Sequence, residues 1–493
     1  MKILVIGLDG ADPELLLGDE RLTNIRGLME AGCYGRLESI IPPITVPAWI
    51  CMATSRDPGS LGIYGFRDRA DRSYDKLAMV ESRTVGDLTV WDQIAREGKR
   101  TILVGVPPGF PARKLNGATV GCFLTPDPAK NTYTHPPSLA GTIRDLVGAY
   151  PVDVHGFRDR DKARILDDIR AMNQKQFTVF RHLLDDQEWD YAQLVAIGLD
   201  RLQHAFWSDH DPEHHRHQAG SPFRSAIRDF YRELDDEVGR VLDGISDDTI
   251  VLVVSDHGAR RLDGGFAVNQ WLVEQGLLAL NQYPDQLTPF SKLDVDWGRT
   301  VAWSEGGYYS RVYLNVRGRE PVGAVDPADY ESIRNDLQAR FEAITDPAGR
   351  SIGTQVFKPD QIYREVRGVA PDLIVHFGGL SWRASGGVGY PQLHIFEDET
   401  GADDSNHAQH GSFVLVAPGN PLTGEVEGAR LLDIAPTLLD LGGYDIPPSM
   451  QGRSLIAGLD RSDPGSDDDL GAGSAADDDE TVRARLSGLG YLS

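Results

Sequence analysis

Apolar runs that each close on a polar or acidic residue mark the strands of this chain. Residues 2–8 read Lys-Ile-Leu-Val-Ile-Gly-Leu and stop at Asp9-Gly10. Residues 249–255 read Thr-Ile-Val-Leu-Val-Val-Ser and stop at Asp256-His257-Gly258. Strands covered on both faces read as such unbroken runs. Two more strands are expected at 101–106 and 413–417, and a further run from Tyr191 to Leu199 ends on Asp200. Between them lie helical stretches near 13–31 (stopped by Gly32), 84–97 (stopped by Gly98), 222–243 and 432–441. Pro43-Ile-Thr45-Val-Pro47-Ala-Trp49 predicts a turn opening a helix through Met52, with Pro47 at an early helical position. Alternating strands and helices predict an α/β fold with a mostly parallel central sheet flanked by helices.

Two stretches break this rhythm. Residues 126–190 hold Pro-rich turns and then a long polar helix near 160–186, which reads as a cap or peripheral insertion. Residues 260–400 suggest helices at 267–275 and 327–344 and strands at 310–316 and 372–377, with Trp303, Tyr308 and Tyr309 in the middle. That pattern fits an α+β subdomain packed on the core, part of which would roof a site and select substrate. Residues 1–458 are therefore expected to form one domain with two insertions. Residues 459–480, rich in Asp, Gly and Ser, should be a disordered acidic linker, and 481–493 a short helix. No internal repeat is visible.

Composition narrows the partners. The 493 residues carry a formal net charge of -25. Nucleic acid and anionic membrane both demand a basic face, so neither is expected as a partner. Arg outnumbers Lys and Asp is spread throughout. This suits a protein adapted to high salt, and also a merely acidic cytosolic one. Cys33, Cys51 and Cys122 are too few and scattered for a disulfide framework, and are expected to be buried and reduced. The first residues enter a strand at once, without a signal-peptide pattern, and no apolar run is long enough for a membrane span. A soluble, cytoplasmic protein is expected.

The chemistry concentrates where strands end, the usual place for sites in open α/β sheets. Asp200 and His204 are spaced i, i+4, so both can face one ion if a helix starts just after the strand. Their oxygen and imidazole donors suit Zn or Mn. Adjacent Asp256 and His257 project in different directions, and Gly258 would let the backbone turn sharply beside a ligand. Asp9 repeats the device, although an isolated Asp there also suits a helix N-cap. Thr45 at a helix start is an ordinary N-cap or a hydroxyl nucleophile, and a helix N-terminus favours phosphate. Asn406-His407-Ala-Gln-His410-Gly411 offers two more imidazoles, one of which would close the first set. The cluster His210, His214, His215, His217 lies in a polar loop and reads as solvated.

In order along the chain, these stretches resemble the alkaline phosphatase superfamily. The closest look is to type I phosphodiesterases/nucleotide pyrophosphatases and related microbial phosphohydrolase/phosphomutase proteins. The stretches are Ile6-Gly-Leu-Asp9-Gly, Pro42-Pro-Ile-Thr45-Val-Pro-Ala-Trp49, Gly198-Leu-Asp200-Arg-Leu-Gln-His204, Ser255-Asp-His-Gly258, His407 to Gly411, and Asp433-Ile-Ala-Pro-Thr-Leu-Leu-Asp440. The resemblance implies an alkaline phosphatase-like core holding two divalent metal ions, Zn or Mn. One would be held by Asp200, His204 and His407, the other by Asp9, Thr45, Asp256 and His257. His407 is preferred to His410 because the family histidine stands four residues before the Gly or Pro that opens the last strand. Thr45 would attack phosphorus and form a phospho-threonine intermediate.

The resemblance has departures. Nucleotide pyrophosphatases carry an Asn after the Gly-Ile element that follows the nucleophile helix. Here Leu61-Gly-Ile-Tyr-Gly-Phe66-Arg67 has none, leaving Arg67 or Arg56 as substitutes. The sulfatase pattern Cys-x-Pro-x-Arg is absent, and phosphoglycerate mutases normally use Ser where Thr45 stands. The implied function is metal-dependent hydrolysis of a small-molecule phosphoric ester, of phosphodiesterase or pyrophosphatase type. The alternatives are a phosphotransferase or phosphomutase using the same intermediate, and a non-catalytic binding protein.

Overall fold

A computed structural model describes residues 1–86, 88–396, 403–419 and 422–456. The expected acidic linker and C-terminal helix lie outside these residues. A ten-stranded sheet forms the centre. Its middle strands run in the order His410–Val416, Ile250–Val254, Ile3–Leu8, Tyr191–Ala196, Thr101–Val104, Gly117–Val120. From Ile250–Val254 to Gly117–Val120 every pairing is parallel. His410–Val416 runs antiparallel to Ile250–Val254 and, on its other side, to Cys33–Glu38. The strand Ile3–Leu8 is buried at every position, as its unbroken apolar run requires. Parallel neighbours in register bring the carboxyl ends of Ile3–Leu8, Tyr191–Ala196 and Ile250–Val254 to one edge.

Several elements differ from the sequence expectation for local reasons. The helix expected near 13–31 is two pieces, Pro13–Leu16 and Thr23–Ala31. Between them Asp19 turns back to accept from the Arg21 backbone N–H and guanidinium, a local bond that competes with helix. The helix near 84–97 starts only at Val90, where Thr89 and Asp92 form a capping box. Strands Cys33–Glu38 and Gly117–Val120 mix polar with apolar residues and do not stand out in the sequence.

Both irregular stretches are built into the fold. The helix Lys162–Asp186, polar on average, buries Ile165, Ile169, Met172, Phe177 and Phe180 in the main core. It packs on helix Gly198–His210 and on the central strands, so it forms a layer of the core. Residues 260–400 contain a four-stranded antiparallel sheet, Ala302–Glu305, Ser310–Leu314, Leu373–His376 and Gln355–Phe357. Helix Tyr330–Glu342 covers it around Trp303, Tyr313 and Phe341.

Candidate active site

Asp9 follows the last residue of Ile3–Leu8, and its backbone N–H still donates to Ala196 O. It does not cap the next helix. Asp12 does, accepting from the N–H groups of Glu14 and Leu15. Asp9 Oδ2 instead accepts from the indole Nε1 of Trp49 at 2.7 Å, which leaves Oδ1 facing Thr45 and His257. Thr45 is the first residue of helix Thr45–Thr54, and that helix has no side-chain cap. Its hydroxyl lies 3.3 Å from His257 Nε2 and 3.5 Å from Asp9 Oδ1.

Asp200 occupies the first turn of helix Gly198–His210, which opens two residues after its strand. One turn on, His204 Nε2 comes within 3.3 Å of Asp200 Oδ1, and His407 Nε2 within 3.6 Å of the same oxygen. Asp200, His204 and His407 thus form one buried group of converging donors, and Asp9, Asp256 and His257 a second. The two meet where the rings of His257 and His407 stack at 3.8 Å. His410 opens strand His410–Val416 and is exposed, outside both groups.

The donor set fits divalent ions on two grounds. His257 Nδ1 lies 2.9 Å from Gly258 O, His407 Nδ1 2.8 Å from Pro43 O, and His204 Nδ1 2.9 Å from Asp403 and 3.0 Å from Ser405 O. A carbonyl only accepts, so each Nδ1 is the donor, and in the neutral ring each Nε2 keeps its lone pair for the site. Nε2 of His204 and His407 and Oδ2 of Asp256 are buried without a hydrogen-bond partner among the described residues. Native interiors rarely leave such atoms unmatched.

Charge supplies the second ground. Burial, with the Asp200 charge, pushes the Asp9 carboxyl well above its ordinary range. Burial and the Asp9 charge do the same to Asp256. Burial drives His257 down to about 4 and His407 well down. Burial also works against charge on His204, but the carboxylates of Asp200 and Asp403 outweigh it and raise the ring to about 9. Ionised acids crowded in a dry site need positive charge nearby, and a metal ion supplies it.

The sequence reading missed Arg201. Its guanidinium is fully buried, with Nη1 donating to Asp200 Oδ2 at 2.7 Å and Nε to Asp153 Oδ1 at 2.9 Å. An Arg beside a suspected ligand inside an apolar stretch was the available signal. Gly258 has a different role from the one expected. A Cβ there would sit 2.3 Å from His410 O, so close strand approach requires the glycine. Phe66 packs edge-on against Phe123 at 5.9 Å. The backbone carbonyl of Arg67 accepts from Arg311. One member of the histidine cluster also differs from expectation. His214 is buried and tied to Asp404 O at 3.1 Å and to the Arg216 N–H at 3.0 Å.

A profile of type I phosphodiesterases / nucleotide pyrophosphatases matches residues 3–412, which carry all of these side chains. The chain belongs to that family. Solved structures share its fold. Phosphonoacetate hydrolase from Sinorhizobium meliloti 1021 superposes with a TM-score of 0.59 at 15% identity, covering 90% of this chain and 96% of its own. Human ectonucleotide pyrophosphatase / phosphodiesterase 5 gives 0.51 at 13%, covering 91% and 96%. The murine counterpart, as an inactive threonine-to-alanine form in complex with AMP, gives 0.52 at 11%, with the same coverage. Among curated relatives, a 2,3-bisphosphoglycerate-independent phosphoglycerate mutase from Paracoccus denitrificans is 43% identical over 60 residues. One from Rhodopirellula baltica is 41% identical over 66 residues. Each match spans 12% of that relative's length.

Proposed function

We propose that this family member is a metal-dependent hydrolase of phosphoric esters, of phosphodiesterase or nucleotide pyrophosphatase type, with Thr45 as nucleophile. The observation that carries this is Thr45 Oγ1. It is released from capping, fully buried, and set 3.3 Å from His257 Nε2 where the two donor groups meet. Asp200, His204 and His407 would hold one ion, and Asp9, Thr45, Asp256 and His257 the other, with Zn or Mn suiting the mixed donors. The ions would supply Lewis acidity, lowering the pKa of a hydroxyl or water and offsetting phosphate charge.

The chain's own groups do the rest. The start of helix Thr45–Thr54 presents backbone N–H groups and the positive end of the helix dipole to an anionic phosphoryl group. Thr45 Oγ1 forms the new P–O bond as the bond to the leaving oxygen breaks. The hydroxyl proton passes to solvent and the leaving oxygen is protonated in turn. Water then cleaves the phospho-threonine ester and restores the hydroxyl. Trp49 and Arg201 hold Asp9 and Asp200 in place. The murine relative's inactive form, which replaces a threonine, agrees with this role for Thr45.

Donors drawn from positions 9 to 407 support residues 1–458 as one catalytic unit, with 126–190 and 260–400 as insertions. No helix among the described residues is long and apolar enough to cross a membrane, and we place the protein in the cytoplasm, acting on a small phosphoester.

With added Mn or Zn the protein should hydrolyse bis-p-nitrophenyl phosphate. Thr45→Ala should cut turnover on the order of 10³-fold or more while leaving the protein folded. Unchanged turnover in Thr45→Ala would sink the nucleophile assignment. The mutase matches favour a second reading, transfer of the phosphoryl group to an acceptor alcohol. Recovery of phosphate on an added alcohol, instead of free phosphate, would select it.

A further inference from the structure

The segment Val152-Asp153-Val154-His155-Gly156-Phe157-Arg158 crosses behind the Asp200–His204 pair. Its buried positions 152–154 and 157–158 flank an exposed tip at His155 and Gly156. Asp153 accepts from Arg201 Nε at 2.9 Å, and Arg201 Nη1 reaches Asp200 Oδ2 at 2.7 Å. Arg158 pairs with Asp403 Oδ2 at 2.8 Å, and Asp403 Oδ1 accepts from His204 Nδ1 at 2.9 Å. Arg158 also donates to the Tyr308 hydroxyl, and the Tyr308 ring stacks on His204 at 4.8 Å. Phe157 lies between the two relays. The Arg201 guanidinium sits 4.9 Å from its ring centre, and the His204 ring 6.1 Å.

We propose that Asp153 and Arg158 are positioning residues that aim Asp200 and His204 together at one ion. The inference rests on the metal-centre reading above. Each relay ends on a different ligand, yet both start on one short strap, so the strap orients the two side chains that the helix spaces one turn apart. Among the described contacts, polar relays tie the strap to this pair, and His407 of the same donor group meets it through the Tyr308 ring at 4.8 Å. Asp9 is held by Trp49, His257 by Gly258 O and His407 by Pro43 O. Loss of a strap charge should therefore weaken one ion and spare the other.

The test is metal stoichiometry and affinity of the full chain, titrated with Mn²⁺ by calorimetry and counted by elemental analysis. The parent should bind two ions. Asp153→Asn and Arg158→Gln should keep the ion at Asp9, Asp256 and His257 and bind the other about 10–100-fold more weakly. Adding Asp256→Asn to either variant should remove the retained ion, whereas adding His407→Ala should not. Arg158→Lys, which keeps the charge, should recover part of the lost affinity. Two ions bound with parental affinities in both variants would overturn the strap proposal, as would equal weakening of both ions. A parent chain that takes up no Mn²⁺ would defeat the metal-centre reading itself, and the proposal with it.

Discussion

His407 and His410 stand three residues apart in one motif, yet face different surroundings. A strand alternates its side chains between faces, and Ser405–Ala408 turns His407 inward beside Asp200, while His410 opens the next strand exposed. His407→Ala should remove one bound ion per chain and most phosphoesterase activity, whereas His410→Ala should change neither, as elemental analysis and turnover would show. The same contrast separates Thr45 from the ordinary cap it resembled in sequence. Only the folded chain shows its hydroxyl turned away from the helix and toward His257. The role of Arg201 was only partly legible, for the converse reason. Its partner Asp153 is 48 positions away, and no local pattern joins them.

At the level of elements, the strand ends were legible because a buried parallel strand needs an unbroken apolar run, and a carboxylate closing it stands out. Depth in the fold was less legible. Helix Lys162–Asp186 looks polar because its outer face is, yet Phe180 on its inner face is fully buried. Phe180→Ala should cost about 3–5 kcal/mol in a denaturant titration, as a core cavity does. A value under 1 kcal/mol would return the helix to the periphery. Gly258 is constrained by the neighbouring strand, with a Cβ position 2.3 Å from His410 O. Gly258→Ala should push apart the segments carrying His257 and His407, lowering both thermal stability and metal affinity. Lower thermal stability with unchanged metal affinity would show that the pairing adjusts without moving the ligands.

For the whole molecule, buried charge and protonation set the conditions for stability. Metal removal should expose the repulsion among Asp9, Asp200 and Asp256. A chelator should lower the melting temperature, and ion at about 100 times its Kd should restore roughly 2.7 kcal/mol. Acid should act elsewhere as well. Burial holds His376 at about 3 and His214 at about 4. The unfolded chain protonates these rings near pH 6.5. Their contribution is therefore complete above that pH and is lost as pH falls through the window down to 4 and 3. His376, between Phe357 and Tyr309, offers the cleaner check. His376→Phe should flatten the fall in melting temperature between pH 7 and pH 4, and an unaltered slope would refute it. Read alone, the chain specified an α/β sheet, its acidic strand ends and the residue types of two candidate donor groups, because apolar runs and donor chemistry are local properties. Folding decided how close His407 comes to Asp200, what Gly258 makes room for, and that Asp153 and Arg158 stand behind Asp200 and His204. Those depend on which distant segments come into contact, and burial then gives each contact its strength.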